Sequence, residues 1–300
     1  VSIPVIQTYT FHYPQSDDYP RAASCVGTDP FSFEDGLVAV NAARNAEVED
    51  KGVAPFPQPL GLNRERLEFP TLPTRDPVEG VRHVLSAYNN CARCHLCSTR
   101  MRVVHERGDA QSAILLLGEG PGRAENDQGQ PFVGRAGRLQ NEILTDAGLD
   151  PNALYWMNAL GCRPATHWQK DRPPTEAELL ACSERVYLML QAIRPRVVVC
   201  LGKTATRYFF EEPPSPWGFT RFVPRGSPDD WVMVAHARHP AYLARVIGVA
   251  SMYKEYAAQR TFYRLLASQA PGLTKVNAWH FLPHQLSNPP EEVMTAWHTK

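Results

Sequence analysis

The chain has 300 residues, enough for one large domain or two small ones, and its 43% apolar and 21% charged composition is that of an ordinary globular protein. Its longest apolar runs, such as Ala113–Leu117 and Val197–Leu201, are far too short to cross a bilayer, and the opening VSIPVIQTYTFHYPQSDD has neither a basic start nor a long apolar stretch, so neither a membrane protein nor a classically secreted one is expected. Formal charge is zero, but residues 1–75 carry a net −4 and the remainder a net +4, which permits a nucleic-acid-binding face without demanding one.

Residues 1–75 hold nine prolines and few periodic segments. They read as an extended arm with one short helix around Phe33–Ala46, a candidate surface for a protein partner. From residue 76 the pattern changes. Asp76–Asn89 has Val78, Val81, Val84 and Leu85 at helical spacing, with Pro77 suited to a first turn. Ala113–Leu117 reads as a buried parallel strand ending at Gly118. Arg135–Ala147 is an amphipathic helix stopped by Gly148, and Ala153–Asn158 is a second strand. Thr175-Glu176-Ala177-Glu178 is a capping box opening a helix that runs to about Ile193. A third strand is predicted over Arg196–Leu201, then a helix through Thr204–Phe210, a proline-rich connection, a fourth strand over Trp231–Ala235 and a helix near Ser251–Leu266. Residues 271–300 read as an irregular tail.

Strands alternating with helices predict an α/β fold whose parallel sheet is covered on both faces. In such a sheet ligands gather at the carboxyl ends of the strands. The segments leaving those ends are Gly118–Phe132, Asn158–Cys162, Gly202–Thr204 and His236–Leu243. The first is rich in glycine, which lets backbone N–H groups approach a ligand, and it also carries Glu119, Glu125 and Phe132. It is no dinucleotide fingerprint, since the spacing is G-x-G-x-G with a proline inside. Gly202-Lys203-Thr204 looks like the end of a phosphate-binding loop, but Val197 stands where that motif needs its first glycine, so Lys203 reads as a helix-start residue. The segment AHARHPAYLAR places His239 at a strand end between Arg238 and Arg245. That arrangement suits an imidazole facing a ligand and arginines facing phosphates.

Seven cysteines are unevenly placed: Cys91, Cys94 and Cys97 in CARCHLC, and Cys25, Cys162, Cys182 and Cys200 scattered. Without a signal sequence, clustered cysteines read as metal ligands in a cytoplasmic protein. A compact zinc site would want its second pair close by. A near pair joined by two distant cysteines suits an iron–sulfur cluster, and spacing alone leaves open whether Cys97 takes part. Cys200 lies in an apolar strand and reads as inert core.

Four pieces in order resemble the family 4 uracil-DNA glycosylases, the iron–sulfur branch of the uracil-DNA glycosylase superfamily. They are Cys91-x-x-Cys94; GEGPGRAEN followed by GQPFVGRAG; Asn158 before Cys162-Arg163-Pro164, with Cys182 on the next helix; and His239-Pro240-Ala241-Tyr242-Leu243. The matching stretch, about Cys91 to Arg245, is half the chain. The resemblance implies a three-layer α/β/α sandwich with a central four-stranded parallel sheet in a domain over residues 76–270, the arm and tail lying outside it. It implies a bacterial, archaeal or viral origin and a [4Fe–4S] cluster on Cys91, Cys94, Cys162 and Cys182. The implied activity is hydrolysis of the N-glycosidic bond of deoxyuridine in DNA. A flipped base would stack on Phe132 and be read by Asn158, whose amide both donates and accepts. His239 and the Gly118–Gly120 backbone would stabilise the departing uracil anion, and Glu119 or Glu125 would orient water. Tyr242 or Leu243 would wedge into the vacated stack, with Arg238 and Arg245 toward the DNA. The alternatives are a modified pyrimidine as substrate, or a non-catalytic DNA-binding subunit that keeps the fold and cluster. Three features differ from the usual pattern: Asn126 where the family has Asp, Ala241 where it has Ser, and an insertion, ATHWQKD, between Cys162 and Cys182.

Overall fold

A computed structural model describes residues 6–10, 72–166, 170–209, 218–222, 232–245 and 249–273. The helix predicted around Phe33–Ala46 and the tail beyond 273 lie outside these residues. In chain order the elements are β1 (Ile6–Thr10), α1 (Pro77–Tyr88), β2 (Arg107–Gly108), β3 (Ile114–Gly118), α2 (Arg123–Gln128), α3 (Arg135–Asp146), β4 (Tyr155–Asn158), the hairpin β5 (Ala165–Thr166) and β6 (Lys170–Asp171), α4 (Glu176–Ile193), β7 (Val197–Leu201), the single turn α5 (Lys203–Thr206), β8 (Gly218–Phe222), β9 (Val232–Ala237) and α6 (Val249–Gln269).

The main sheet has the order β1-β8-β9-β7-β3-β4-β2. Its centre is the expected parallel set, β9, β7, β3 and β4. The sheet is wider than expected because antiparallel strands extend both edges: β8 pairs with β9, β1 with β8, and β2 with β4. None of the added strands was legible, since β2 is only two residues long and β8 leaves the proline-rich connection.

All residues of β3 and β7 are buried, because helices cover both faces. Leu115, Leu117, Val198, Cys200 and Met157 face the side packed by Val84 and Tyr88 of α1 and Leu179, Val186 and Leu190 of α4. Their alternate neighbours Ile114, Leu116, Trp156, Val199 and Leu201 face Ile143 and Leu144 of α3 and Phe262, Tyr263 and Leu266 of α6. The period-two alternation thus divides one apolar run between two cores. Among the described residues no helix is long and apolar enough to cross a membrane.

Several boundaries differ from the periodicity reading. Strand β4 begins at Tyr155, because Asp150 caps a short turn over Pro151–Ala153 and accepts a hydrogen bond from Asn152 N at 2.9 Å. Strand β9 runs on to Ala237, its His236 buried in register with Cys200. The helix predicted through Thr204–Phe210 is a single turn. The capping box at α4 forms as predicted: Thr175 Oγ1 accepts from Glu178 N at 3.3 Å, and Glu178 accepts from Thr175 N at 2.7 Å.

Arg185 of α4 enters the core with its side chain 4% exposed and forms an ion pair with Glu106, itself 2% exposed. The same guanidinium donates to the carbonyls of Asn158 at 2.5 Å and Ala159 at 3.3 Å. Removing one partner of such a pair leaves the other charge stranded in low dielectric. Arg185→Met is expected to lose about 3–5 kcal/mol of unfolding free energy in urea titration; a loss below ~1 kcal/mol would show that Glu106 finds compensation elsewhere.

Candidate functional site

The carboxyl ends of the four parallel strands lie side by side, so Asn158, Gly118, Leu201 and Ala237 mark one rim of the sheet. A cavity of about 770 Å³ opens there, lined among others by Glu119, Arg172, Lys203, Thr204, His239 and Tyr242. Gly202-Lys203-Thr204, which fails as a phosphate loop, is therefore part of the cavity wall, and Lys203 does begin a helical turn.

Beside this cavity sits a second, tighter grouping. A methyl group on Gly118 would lie 2.3 Å from Asn158 Oδ1 and 2.6 Å from Phe132 Cζ. Only a bare backbone fits between the amide and the ring. Phe132 and Asn158 are each 7% exposed and do not line the cavity described above, but Gly118 and Glu119 are consecutive, so the two groupings adjoin. Phe132 adopts φ +57°, rare for a bulky residue and costly unless its surroundings hold it. Trp156 packs against its ring, with centroids 5.0 Å apart. Arg107 stacks over Trp156 at 4.2 Å and donates through Nε to Pro131 O at 3.2 Å, gripping the peptide just before Phe132. Neither Arg107 nor Trp156 carried a sequence signal, because their roles arise from tertiary contact.

The two carboxylates of the glycine loop part company. Glu125 Oε2 accepts from Gly122 N at 3.1 Å and Oε1 from Gly134 N at 2.7 Å, so both oxygens tie the loop to itself. Glu119 faces the cavity and accepts from Thr204 Oγ1 at 2.5 Å. Asn126 is 4% exposed, and its Oδ1 accepts from Met101 N at 3.0 Å, a backbone tether rather than a cavity group. Gly120 faces away from Asn158; a methyl there would meet Leu160 and Pro164, both at 3.5 Å.

His239 Nδ1 accepts a hydrogen bond from Ala241 N at 3.2 Å. A neutral imidazole with Nδ1 so engaged carries its proton on Nε2. The donor is a backbone N–H, so alanine at 241 serves it as well as serine would. Arg238 is anchored, donating to Glu255 at 2.6 Å and lying 4.8 Å from the centroid of the Tyr242 ring, which is 41% exposed. Leu243 and Arg245 lie in the 3-10 turn Pro240–Arg245 that follows; their side chains fall outside the described residues. The described ends of the insertion pair as β5 and β6, held by the Arg163–Asp171 pair at 2.5 Å, and Asp171 with the following Arg172 lies on the cavity rim. Arg172 in turn is clamped by Glu178 at 2.5 Å.

Cys162 and Cys182 are buried, and Cys91 and Cys94 pack against the same core. Burial pushes the Cys162 thiol up to about 11; Arg100, donating to its sulfur at 3.5 Å, works the other way, and Cys94 and Cys91 are near enough to add to the rise. Burial pushes Cys182 up to about 12, opposed by the Gly161 N–H and reinforced by Cys162, Cys94 and Cys91. These four therefore share one electrostatic neighbourhood. Cys97 is exposed and acts on Cys94. Among the described residues no three of His, Cys, Asp or Glu are grouped as ligands of one metal ion. Cys200 is fully buried in β7, and Cys25 lies outside the described residues.

Residues 105–274 match the family model described as the uracil DNA glycosylase superfamily. The chain belongs to that superfamily. Over 158 residues it is 37% identical to a type-4 uracil-DNA glycosylase of Thermotoga maritima, covering 52% of this chain and 78% of the relative. It is also 37% identical over 133 residues to a type-4 enzyme of Archaeoglobus fulgidus, covering 44% of this chain and 65% of that one. A type-5 uracil-DNA glycosylase of Pyrobaculum aerophilum is 30% identical over 149 residues, covering 39% of this chain and 64% of its own length. The resemblance drawn from the motifs and these similarities agree on the superfamily. Glu125→Ala is expected to cost about 1–3 kcal/mol of stability by urea unfolding, since it strands two backbone donors; unchanged stability would show that the loop does not rest on that side chain.

Proposed function

We propose that this protein hydrolyses the N-glycosidic bond of a uracil flipped out of DNA, leaving an abasic site. The observation that carries this reading is the convergence of the Phe132 ring and the Asn158 amide on the bare backbone of Gly118. A base in a duplex is unreachable, so an enzyme acting on it must unstack it and recognise it from a slot. A ring beside an amide that donates and accepts matches the face and edge of a pyrimidine. Asn158 is a specific reader only if its segment holds still, and the Arg185 grip on its main-chain carbonyl fixes the backbone from which the amide projects.

The leaving uracil takes the bonding electron pair and becomes an anion. His239, with Nδ1 engaged and its proton on Nε2, is suited to donate to that developing charge without itself becoming cationic. Glu119, open to the cavity, is the carboxylate placed to orient water or to balance the electron-poor sugar; Glu125 keeps the loop closed. Tyr242, exposed and stacked by Arg238, is offered to the DNA beside the cavity, with Leu243 and Arg245 next in the same turn.

Cys91, Cys94, Cys162 and Cys182 fit a [4Fe–4S] cluster. Each thiolate of such a cluster binds a different iron, so the four sulfurs stand farther apart than around a single ion. Buried thiols with raised pKa need a compensating positive charge to ionise, and N–H groups from Arg100 and Gly161 already point at two of the sulfurs. When bound, the cluster would cross-link the segment after α1, the loop after β4 and helix α4.

Purified protein is expected to release uracil from single- or double-stranded DNA, read as strand breaks after alkali treatment, with His239→Ala slower by about 10²–10³-fold. DNA that stays unbroken through the alkali step after incubation with cluster-loaded protein would defeat the reading, and equal rates in both proteins would defeat the role of His239. Iron and sulfide analysis provides a separate check: Cys182→Ser is expected to lose the cluster and its visible absorbance while Cys97→Ser keeps both. Equal loss in the two variants would put Cys97 among the ligands.

A further inference from the structure

The turn that follows β7 has no part in the chemistry described so far. Strand β7 lies between β3 and β9, so its exit stands between Glu119, which follows β3, and His239, which follows β9. The turn is tied to both sides. Toward β3, Thr204 Oγ1 donates to Glu119 Oε2 at 2.5 Å across 85 residues of sequence. Toward β9, Gly202 N donates to Ala237 O at 2.8 Å. Gly202 has φ +87°, and a methyl there would come within 3.1 Å of His239 Cβ, so the turn packs directly against the histidine.

We propose that Thr204 is a positioning residue for Glu119, and that the Gly202-Lys203-Thr204 turn sets the carboxylate's place relative to His239. This rests on the glycosylase reading and deepens it. A flexible glutamate at a cavity mouth has several rotamers, and ordering one costs entropy at the moment of reaction. A hydroxyl donating to one carboxylate oxygen makes a short charge-assisted bond that selects a single rotamer in advance. The other oxygen, Oε1, is left for a water or the sugar. Because threonine sits on the first turn of α5, packed on the middle strand, the hydroxyl inherits the rigidity of the sheet.

The test is single-turnover release of uracil from duplex DNA by the whole, cluster-loaded chain, together with fluorescence anisotropy on a duplex carrying an abasic site. Thr204→Val keeps the shape and removes the donor. It is expected to slow cleavage by about tenfold to a hundredfold, with affinity for the abasic duplex little changed. Thr204→Ser restores the donor and is expected to cut at close to the wild-type rate. In a Glu119→Ala background the Thr204→Val change is expected to add almost nothing, because there is no carboxylate left to place. A purely structural threonine would instead cost the same in both backgrounds. That outcome, or a Thr204→Val protein cutting as fast as wild type, overturns the proposal while leaving the glycosylase reading intact. A wild-type protein that releases no uracil, leaving the DNA resistant to alkali, overturns both.

Discussion

A guanidinium removed from water holds this site together. Arg185 reaches from α4 into the core, pairs with Glu106 and grips the carbonyls of Asn158 and Ala159. Burying that charge is expensive unless each contact is met, so the arrangement tolerates little movement in any partner. Its consequences spread in two directions. Asn158 ends β4 at the rim where Gly118 and Phe132 meet, and Cys162 lies just beyond on the same segment. Cys182, one turn before Arg185 on α4, belongs with that cysteine in one core. The backbone of Asn158 and the Cys182 thiol are thus fastened to the same helix.

The rim divides its labour between side chains that touch the cavity and backbone that keeps them there. Glu119, Arg172 and His239 line the cavity, while Glu125, Glu178 and Ala241 each hold a neighbour through backbone or carboxylate contacts. This division accounts for two departures from the family pattern. Asn126 is buried against Met101 N, where an amide oxygen accepts as well as a carboxylate and needs no countercharge. Ala241 acts through its N–H, which any residue but proline supplies. The insertion is different in kind, since its Asp171, with the following Arg172, lies on the cavity edge.

Much of the fold is legible in the sequence alone. Apolar runs of five residues ending in glycine marked β3 and β7, and the capping box at Thr175 marked the start of α4, because those signals are local and each has a direct backbone cause. Phe132, Asn158 and His239 lie in segments at strand ends, and the resemblance to the family gave them their expected roles. Illegible were the contacts made by residues with no local signature. Arg107 and Trp156 support Phe132 only because β2 lies against β4. Glu119 and Glu125, equal candidates in a linear loop, separate only when α2 forms and Gly122 and Gly134 claim the second of them.

The amino-acid order by itself determined the alternation of strand and helix, and hence which loops leave the sheet on one side. It also supplied the thiols and the motif residues that mark the superfamily. Only the tertiary structure decided which strand sits in the middle, and through that which turn stands between Glu119 and His239. Strand neighbours are chosen by how whole faces pack, over separations that no local pattern encodes, so the partner of Glu119 could not be read from the residues around either of them.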